Sequence, residues 1–522
     1  MTRVGARARG ATTSAWLWAY YFFLKLLLEW HGSLRVHFAW NAILLAFVYV
    51  PWRRFLPAPR VARVAAALAG FTLLWYDSYL PPLSESVGFA WAHPGVLTSG
   101  FLGRFLPGFW TSASGFATVA ASFGVFMALG RRGLSAAPAA LIFLLASPLL
   151  ARGRADEGVS AAVERFYAAE SGRRVLTPRA AGRPFDVIVL QVCSLSWDDL
   201  SEIGRSSPRL LKGASILLHG FNSASSYSAP AALRLLRAPC GQIPQSSLRS
   251  PWPEECRWLD GLRAAGFKTY AALNSEPNYF GMTEELQATA GLDEPVPVSG
   301  LPVALLNFDG RPIYDDKALL RRWWTARLAS GAPRAMLFYN TVSLHGGAHP
   351  DRSGWWQTPE NALYARTLRR LGEAVDALCK EVVSSGRSAV VLIVPEHGAA
   401  LRGSPVQARE LRDIPLPAIT RVPVAVRLIG PVFARAGSRQ DRRPVSYLAL
   451  AKLVADLAAD PTLGADAARL DREVASLPET DFLSESSQWK TFFYRGAYYL
   501  YGKDGRWRSL PASVAPTAAD AP

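Results

Sequence analysis

Cysteine is scarce, with only Cys193, Cys240, Cys256 and Cys379 among 522 residues. Such scarcity fits either a reducing compartment or an oxidising one in which most thiols have assigned partners. Runs of Lys or Arg interleaved with aromatics are missing, as are the usual nucleic-acid motifs. The net charge of +16 is therefore not read as the footprint of a nucleic-acid-binding protein. Many of the cations are Arg residues at the ends of apolar segments, where they set membrane topology. No internal repeat and no long low-complexity tract occurs. The N-terminal apolar stretch also lacks a small-residue cleavage site, which argues against a removed signal peptide. What abounds is apolar surface: 50% of the residues are hydrophobic and the mean hydropathy is +0.11, high for a soluble protein.

That surplus is concentrated in residues 1–152, where an α-helical transmembrane domain is expected. Spans are placed at Ser14–Trp30, Phe38–Trp52, Val61–Leu80, Gly115–Leu129 and Ala136–Leu150, with Lys25 either snorkelling or facing the bundle. Arg3, Arg7 and Arg9, then Arg53, Arg54, Arg60 and Arg63, then Arg131 and Arg132, mark the cytoplasmic side, starting with the N-terminus. The intervening stretches, including the long one from Ser78 to Gly95, carry fewer cations and fall outside. Everything after the last span is then outside too.

Residues 153–184 read as an amphipathic juxtamembrane helix, Ala155–Gly172, and a linker rich in Arg, Pro and Gly. Over 185–510, strand-like runs such as 186–193, 335–342 and 389–394 alternate with helix-like ones such as 316–328 and 360–383. That alternation predicts an α/β domain with a mostly parallel sheet covered on both faces. A β-hairpin or meander is expected over WKTFFYRGAYYLYGKDGRWRSL, and residues 511–522 read as a disordered tail.

Four element ends carry the chemistry. The apolar run Val187–Val192 delivers Cys193, two later runs deliver His345 and the pair Glu396–His397, and a turn-rich stretch delivers Ser228 to a helix start. In α/β sheets such ends converge on one crevice. Cys, Glu and His are zinc ligand types, and Ser228 supplies an oxygen whose pKa a metal would lower, making a nucleophile of a hydroxyl otherwise too weak. The helix from Ala229 adds free N–H groups suited to a phosphate or sulfate, and His345 is placed to bind its oxygens or protonate a leaving group. Taken singly, these residues have plainer readings: a small apolar core thiol, a helix N-cap with Pro230 in the first turn, a structural histidine. Their co-occurrence at strand and helix ends is what favours a metal site.

The segments QVCSLSWDDL, SSYSAPAALRLLRAPCGQ, YNTVSLHGG and PEHGAAL followed by LRDIP resemble the cellulose phosphoethanolamine transferases of bacterial cellulose-secretion systems. The resemblance runs over the whole chain and implies a membrane-anchored member of the alkaline phosphatase superfamily, with an alkaline-phosphatase-like catalytic domain in the periplasm and its anchor in the bacterial inner membrane. It implies Ser228 as nucleophile, Cys193, Glu396, His397 and Ser228 as zinc ligands, and His345, Tyr227 and Arg412 near the substrate. It also implies a Cys240–Cys256 disulfide. Phosphoethanolamine would pass from phosphatidylethanolamine to Ser228 and then to a glucosyl 6-hydroxyl of nascent cellulose, in contact with the cellulose synthase complex. A sulfatase or phosphatase of the superfamily is the nearest rival, but Ala232 stands where the sulfatase pattern resembling Ser/Cys-x-Pro-x-Arg has its Arg. A glycerol-phosphate transferase is a second enzymatic rival, and a non-catalytic scaffold of the synthase is a rival of a different class. Trp355 and Trp356 offer either a glucan-stacking platform or packing, and Cys379 reads as a core residue.

Overall fold

The apolar N-terminal region is helical: α1 (Thr2–Trp30), α2 (Phe38–Tyr49), α3 (Pro59–Asp77), α4 (Leu83–Ala92), α5 (Ala113–Arg131) and α6 (Ala137–Leu150). This computed structural model describes residues 2–30, 34–50, 59–78, 83–92, 113–131, 136–150, 157–276, 281–351, 358–404, 406–433, 437–502, 505–510 and 514. The chain divides into two units, Met1–Ala155 with Gly403–Arg409, and Asp156–Arg402 with Glu410–Pro522.

In the first unit each stretch read as a span overlaps a helix, the ends 51–52 and 79–80 lying outside the described residues, and α4 lies where the sequence reading places only a loop. Trp16, Ala19, Tyr20 and Phe22 of α1 pack against Phe126 of α5 and Ala140 of α6. Among the described residues no helix is long and apolar enough to cross a membrane. The most uniformly apolar, α2 and α6, have 12 and 14 residues, against the ~20 that a span requires. The longer α1, α3 and α5 are diluted by Arg, Ser, Thr or Gly. Lys25 does not snorkel. Its ammonium is buried in an ion pair with Asp77 and donates to Asn41 Oδ1 at 2.8 Å, while Asn41 Nδ2 donates to Asp77 Oδ2 at 2.8 Å.

The second unit is built on a seven-stranded sheet in the order β3-β6-β1-β7-β8-β2-β9. Its members are β1 (Asp186–Val192), β2 (Ile216–Leu218), β3 (Lys268–Leu273), β6 (Ala335–Thr341), β7 (Ala389–Pro395), β8 (Val424–Ile429) and β9 (Arg439–Asp441); β4 (Val303–Leu306) and β5 (Pro312–Tyr314) form a separate pair. β3, β6, β1 and β7 are parallel to one another, whereas β8 runs antiparallel to both β7 and β2. The sheet is mixed, and its parallel half carries the strands that lead to Cys193, His345 and Glu396.

Unbroken apolar runs make strands buried on both faces. On β1, Val187 and Val189 enter one core with Met336 and Phe338 of β6. Ile188, Leu190 and Val192 enter the other with Leu337 and Tyr339. The first core is covered by α9 (Ser228–Leu236), α10 (Trp258–Ala264), α11 (Met282–Ala290) and α15 (Tyr447–Ala459). The second lies under α8 (Trp197–Glu202), α12 (Asp316–Ala329) and α13 (Glu360–Ser384). Two shorter helices, α14 (Pro417–Thr420) and α16 (Ala467–Ala475), complete the unit. Cys379 of α13 packs against that second core.

The C-terminal region is a four-stranded antiparallel sheet, β10 (Leu483–Glu485), β11 (Lys490–Tyr494), β12 (Ala497–Tyr501) and β13 (Trp507–Ser509). β11 turns into β12 through Arg495-Gly496, where both residues have positive φ (49° and 80°). The amphipathic helix α7 (Glu157–Ser171) lays Val159, Ala162, Val163 and Phe166 onto Leu483, Phe492 and Trp507. Apart from Val514, the tail read as disordered lies outside the described residues, as do Trp355 and Trp356.

Candidate active site

Because β1, β6 and β7 are parallel, their carboxyl ends share one edge of the sheet. Register then decides which residues meet there: Val192 pairs with Thr341 on one side and with Pro395 on the other. Cys193 follows β1 directly, Glu396 and His397 follow β7, and α9 brings in Ser228 as its first residue. The ligand atoms of Cys193, Glu396 and His397 all lie within 4.8 Å of one another. Ser228 Oγ is 3.7 Å from Cys193 Sγ and 3.4 Å from His397 Nε2. The four residues expected at the metal are thus brought together.

Each of Cys193, Glu396 and His397 is fully buried, and burial acts on all of them. It pushes the Cys193 thiol up to about 12, with the Glu396 charge adding to the rise, raises Glu396 as well, and holds His397 well below its ordinary value. Asn340 Nδ2 donates to Glu396 Oε1 at 2.5 Å. The other oxygen, Oε2, is buried 3.6 Å from His397 Nε2, and among the described residues no donor reaches it at full hydrogen-bond geometry, although the Ser228 hydroxyl and the Cys193 thiol lie close enough to lower the carboxyl's pKa. A carboxylate oxygen facing a thiol, an imidazole and a hydroxyl combines donor types that zinc takes, and a divalent cation there would offset the burial of each of them. His397 Nδ1 meets Gly398 O at 2.9 Å, which leaves Nε2 directed at the cluster.

The loop after β7 is tied from beneath. Asp199, in a capping box with Ser196 at the start of α8, accepts from Ala399 N at 2.7 Å and Leu401 N at 3.2 Å. Gly398 has to be glycine: a Cβ would stand 2.6 Å from Ser196 Oγ and 2.8 Å from Asp199 Oδ2.

The other expected residues flank the cluster. Arg412 donates to Ser194 Oγ at 2.9 Å, and its Nη2 lies 3.5 Å from His345 Nε2. His345 Nδ1 meets Gly346 O at 2.8 Å and its ring stacks on Phe308. Burial first, and the Arg412 cation second, push His345 down to about 3, so it is a neutral ring near pH 7. Tyr227, the residue before Ser228, donates a short hydrogen bond to Asp413 Oδ1. Cys240 and Cys256 form a disulfide with Cα atoms 5.2 Å apart. His219 stacks on Trp197, and His349 pairs its backbone with Leu306.

Sequence reasoning missed Ser194, Asn340 and Asp413. Ser194 has φ 65°, unusual for a non-glycine residue. Asn340 is the one polar residue buried in β6 before its last position, a signal that was legible in AMLFYNT.

A family model described as the C-terminal domain of the cellulose biosynthesis protein BcsG matches residues 150–507, and one for the N-terminal domain matches residues 18–89. The chain belongs to the BcsG family. It is 31% identical to the cellulose biosynthesis protein BcsG of Salmonella typhimurium, over 95% of this chain and 96% of that one. The Escherichia coli BcsG is 30% identical with the same coverage. Among solved structures, a protein in the alkaline phosphatase superfamily from Vibrio parahaemolyticus is similar at 14% identity and a TM-score of 0.46, covering 67% of this chain and 91% of its own. The last is a distant likeness. Family membership ties the chain to cellulose biosynthesis.

Proposed function

We propose that this BcsG-family chain is a zinc-dependent phosphoethanolamine transferase with an alkaline-phosphatase-like catalytic domain. The observation that carries the reading is the hydroxyl of Ser228 held 3.7 Å from Cys193 Sγ and 3.4 Å from His397 Nε2 at the start of a helix, beside the buried carboxylate of Glu396. Cys193, Glu396, His397 and Ser228 would hold the metal, which when bound supplies the positive charge that lets Ser228 lose its proton near neutral pH.

In the first step Ser228 Oγ forms a bond to the phosphorus of phosphatidylethanolamine as the bond to the diacylglycerol oxygen breaks, and that oxygen takes up a proton. In the second, a glucosyl 6-hydroxyl oxygen of nascent cellulose bonds to phosphorus, loses its proton and releases Ser228. In the first turn of α9 Pro230 has no N–H and that of Ala231 bonds Tyr227 O, so the N–H groups of Ser228 and Ala229 would take the phosphoryl oxygens. Arg412 clamps them with a planar pair of donors, and His345, as a neutral ring against Phe308, seats the guanidinium. Residues 1–152 are read as an inner-membrane anchor, 153–184 as the connection and 185–510 as a periplasmic domain. Such an anchor holds the site near the lipid donor, and the cellulose synthase complex would deliver the acceptor.

The test is metal content and intact mass of the full chain in detergent, incubated with phosphatidylethanolamine, for wild type and Ser228→Ala. A phosphoethanolamine-sized mass gain in wild type alone supports the reading. Zinc-loaded, folded wild type with no adduct and no released diacylglycerol sinks it and favours the scaffold.

A further inference from the structure

The segment after Glu410 presents opposite charges side by side. Glu410 adopts φ 64° and donates its N–H to Ala400 O at 3.0 Å, and Ile414 is buried, so the residues between them are pinned at both ends. Arg412 turns to Ser194 and His345 beside the candidate metal ligands, whereas Asp413 meets the hydroxyl of Tyr227. Tyr227 is itself fixed: its N–H donates to Ser225 Oγ at 3.3 Å, and its carbonyl accepts from Ala231 N at 3.1 Å in the first turn of α9. A guanidinium that meets Ser194, beside Cys193, and a carboxylate held by the residue before the nucleophile match a zwitterion whose phosphate and ammonium are joined by a short ethylene link.

Electrostatics favours a carboxylate at this place. A metal and Arg412 both repel an ammonium group, and the desolvation of such a cation near them is offset only by a partner of opposite sign. The ring of Tyr227, 38% exposed, offers a cation–π face at the same place. Resting on the phosphoethanolamine-transferase reading, we infer that Asp413 and Tyr227 form the subsite that takes the donor's ammonium group and selects an aminoethyl head over an uncharged one. In the absence of donor, the Tyr227 hydroxyl holds the carboxylate in place.

The experiment compares two soluble donors on the zinc-loaded full chain in detergent, 4-nitrophenyl phosphoethanolamine and its 2-hydroxyethyl analogue, which differ only in ammonium against hydroxyl. Wild type is expected to prefer the first in kcat/KM. Asp413→Asn is expected to shrink that preference by about tenfold to a hundredfold, the range of a hydrogen bond to a charged group. Asp413→Glu should keep most of it, and Tyr227→Phe, which keeps the ring, should lose less than Asp413→Asn. A variant whose rates fall equally on both donors, leaving the ratio of wild type, marks Asp413 as structural and overturns the inference. Wild type active on both donors without preference overturns the inference alone, whether or not any variant folds. Wild type that releases nitrophenolate from neither donor removes the transferase reading and the subsite with it.

Discussion

Asn340 provides the most direct test of how the candidate metal ligands are supported. Its amide donates to Glu396 Oε1 at 2.5 Å and to Gln191 Oε1 at 3.2 Å, all within the buried edge of the sheet. In Asn340→Leu the number and branching of side-chain heavy atoms are kept, but Oε1 loses the amide donor that orients the carboxylate. The carboxylate would then turn away from the ligand geometry or remain as an unpaired buried charge. Loss of such an outer contact lowers metal affinity by about 10–100-fold, or ~1.4–2.7 kcal/mol. Zinc competition against a chromophoric chelator measures this on the full chain in detergent, and thermal melts in chelator show whether the apo fold is intact. A variant that folds and binds zinc as tightly as wild type would refute the argument, because Glu396 would then need no orientation by Asn340.

At the opposite end of the sheet, Asp186 is fully buried and accepts from Arg327 at 2.8 and 3.1 Å, from Arg387 and from Ala335 N. Asp186→Ala leaves Arg327 buried without its partner and is expected to cost about 3–5 kcal/mol, read as a lower denaturation midpoint of the second unit. A shift below ~1 kcal/mol would contradict that pairing. Burial pushes Asp199 up to about 6, against hydrogen bonds from Ala399, Leu401 and Ser196 that act to lower it. Its unfolded value is about 3.9, so the stability linked to its protonation is complete below about pH 4 and is lost as pH rises through about 6, on the order of 2–3 kcal/mol. Melts of the apo chain in chelator should show that decline in wild type and a flatter profile in Asp199→Asn; parallel profiles would exclude Asp199 as its source.

Much of the second unit was legible because its strands are buried on both faces. A parallel strand under helices on each side has to be an unbroken apolar run, so 186–192 and 389–395 announce themselves, and with them the residues that follow each. Of the described N-terminal helices, α1, α2, α3, α5 and α6 were legible from their apolar stretches, whereas α4, in a stretch with Pro, Ser and Glu, reads as a loop. Short elements carried no such signal: β9 and β10 are three residues each, and β9 is held by β2, far earlier in the chain. The antiparallel entry of β8 between β7 and β2 could not be read from an apolar run, because direction depends on the connections and not on the side chains.

The site divides in the same way. Sequence alone determined which chemistry-bearing residues stand at element ends: Cys193, Ser228, His345, Glu396 and His397, each beside a pattern of period or turn that places it. Their separations, the burial of the Glu396 carboxylate and the supports from Asn340, Ser194 and Asp199 were decided by tertiary structure. Asn340 reaches Gln191 across 149 positions of sequence through the pairing of two strands, and Asp413 meets Tyr227 across 186. Local pattern is set by the period of a strand or helix, whereas contact between distant residues is set by register and packing, which exist only once the sheet has closed.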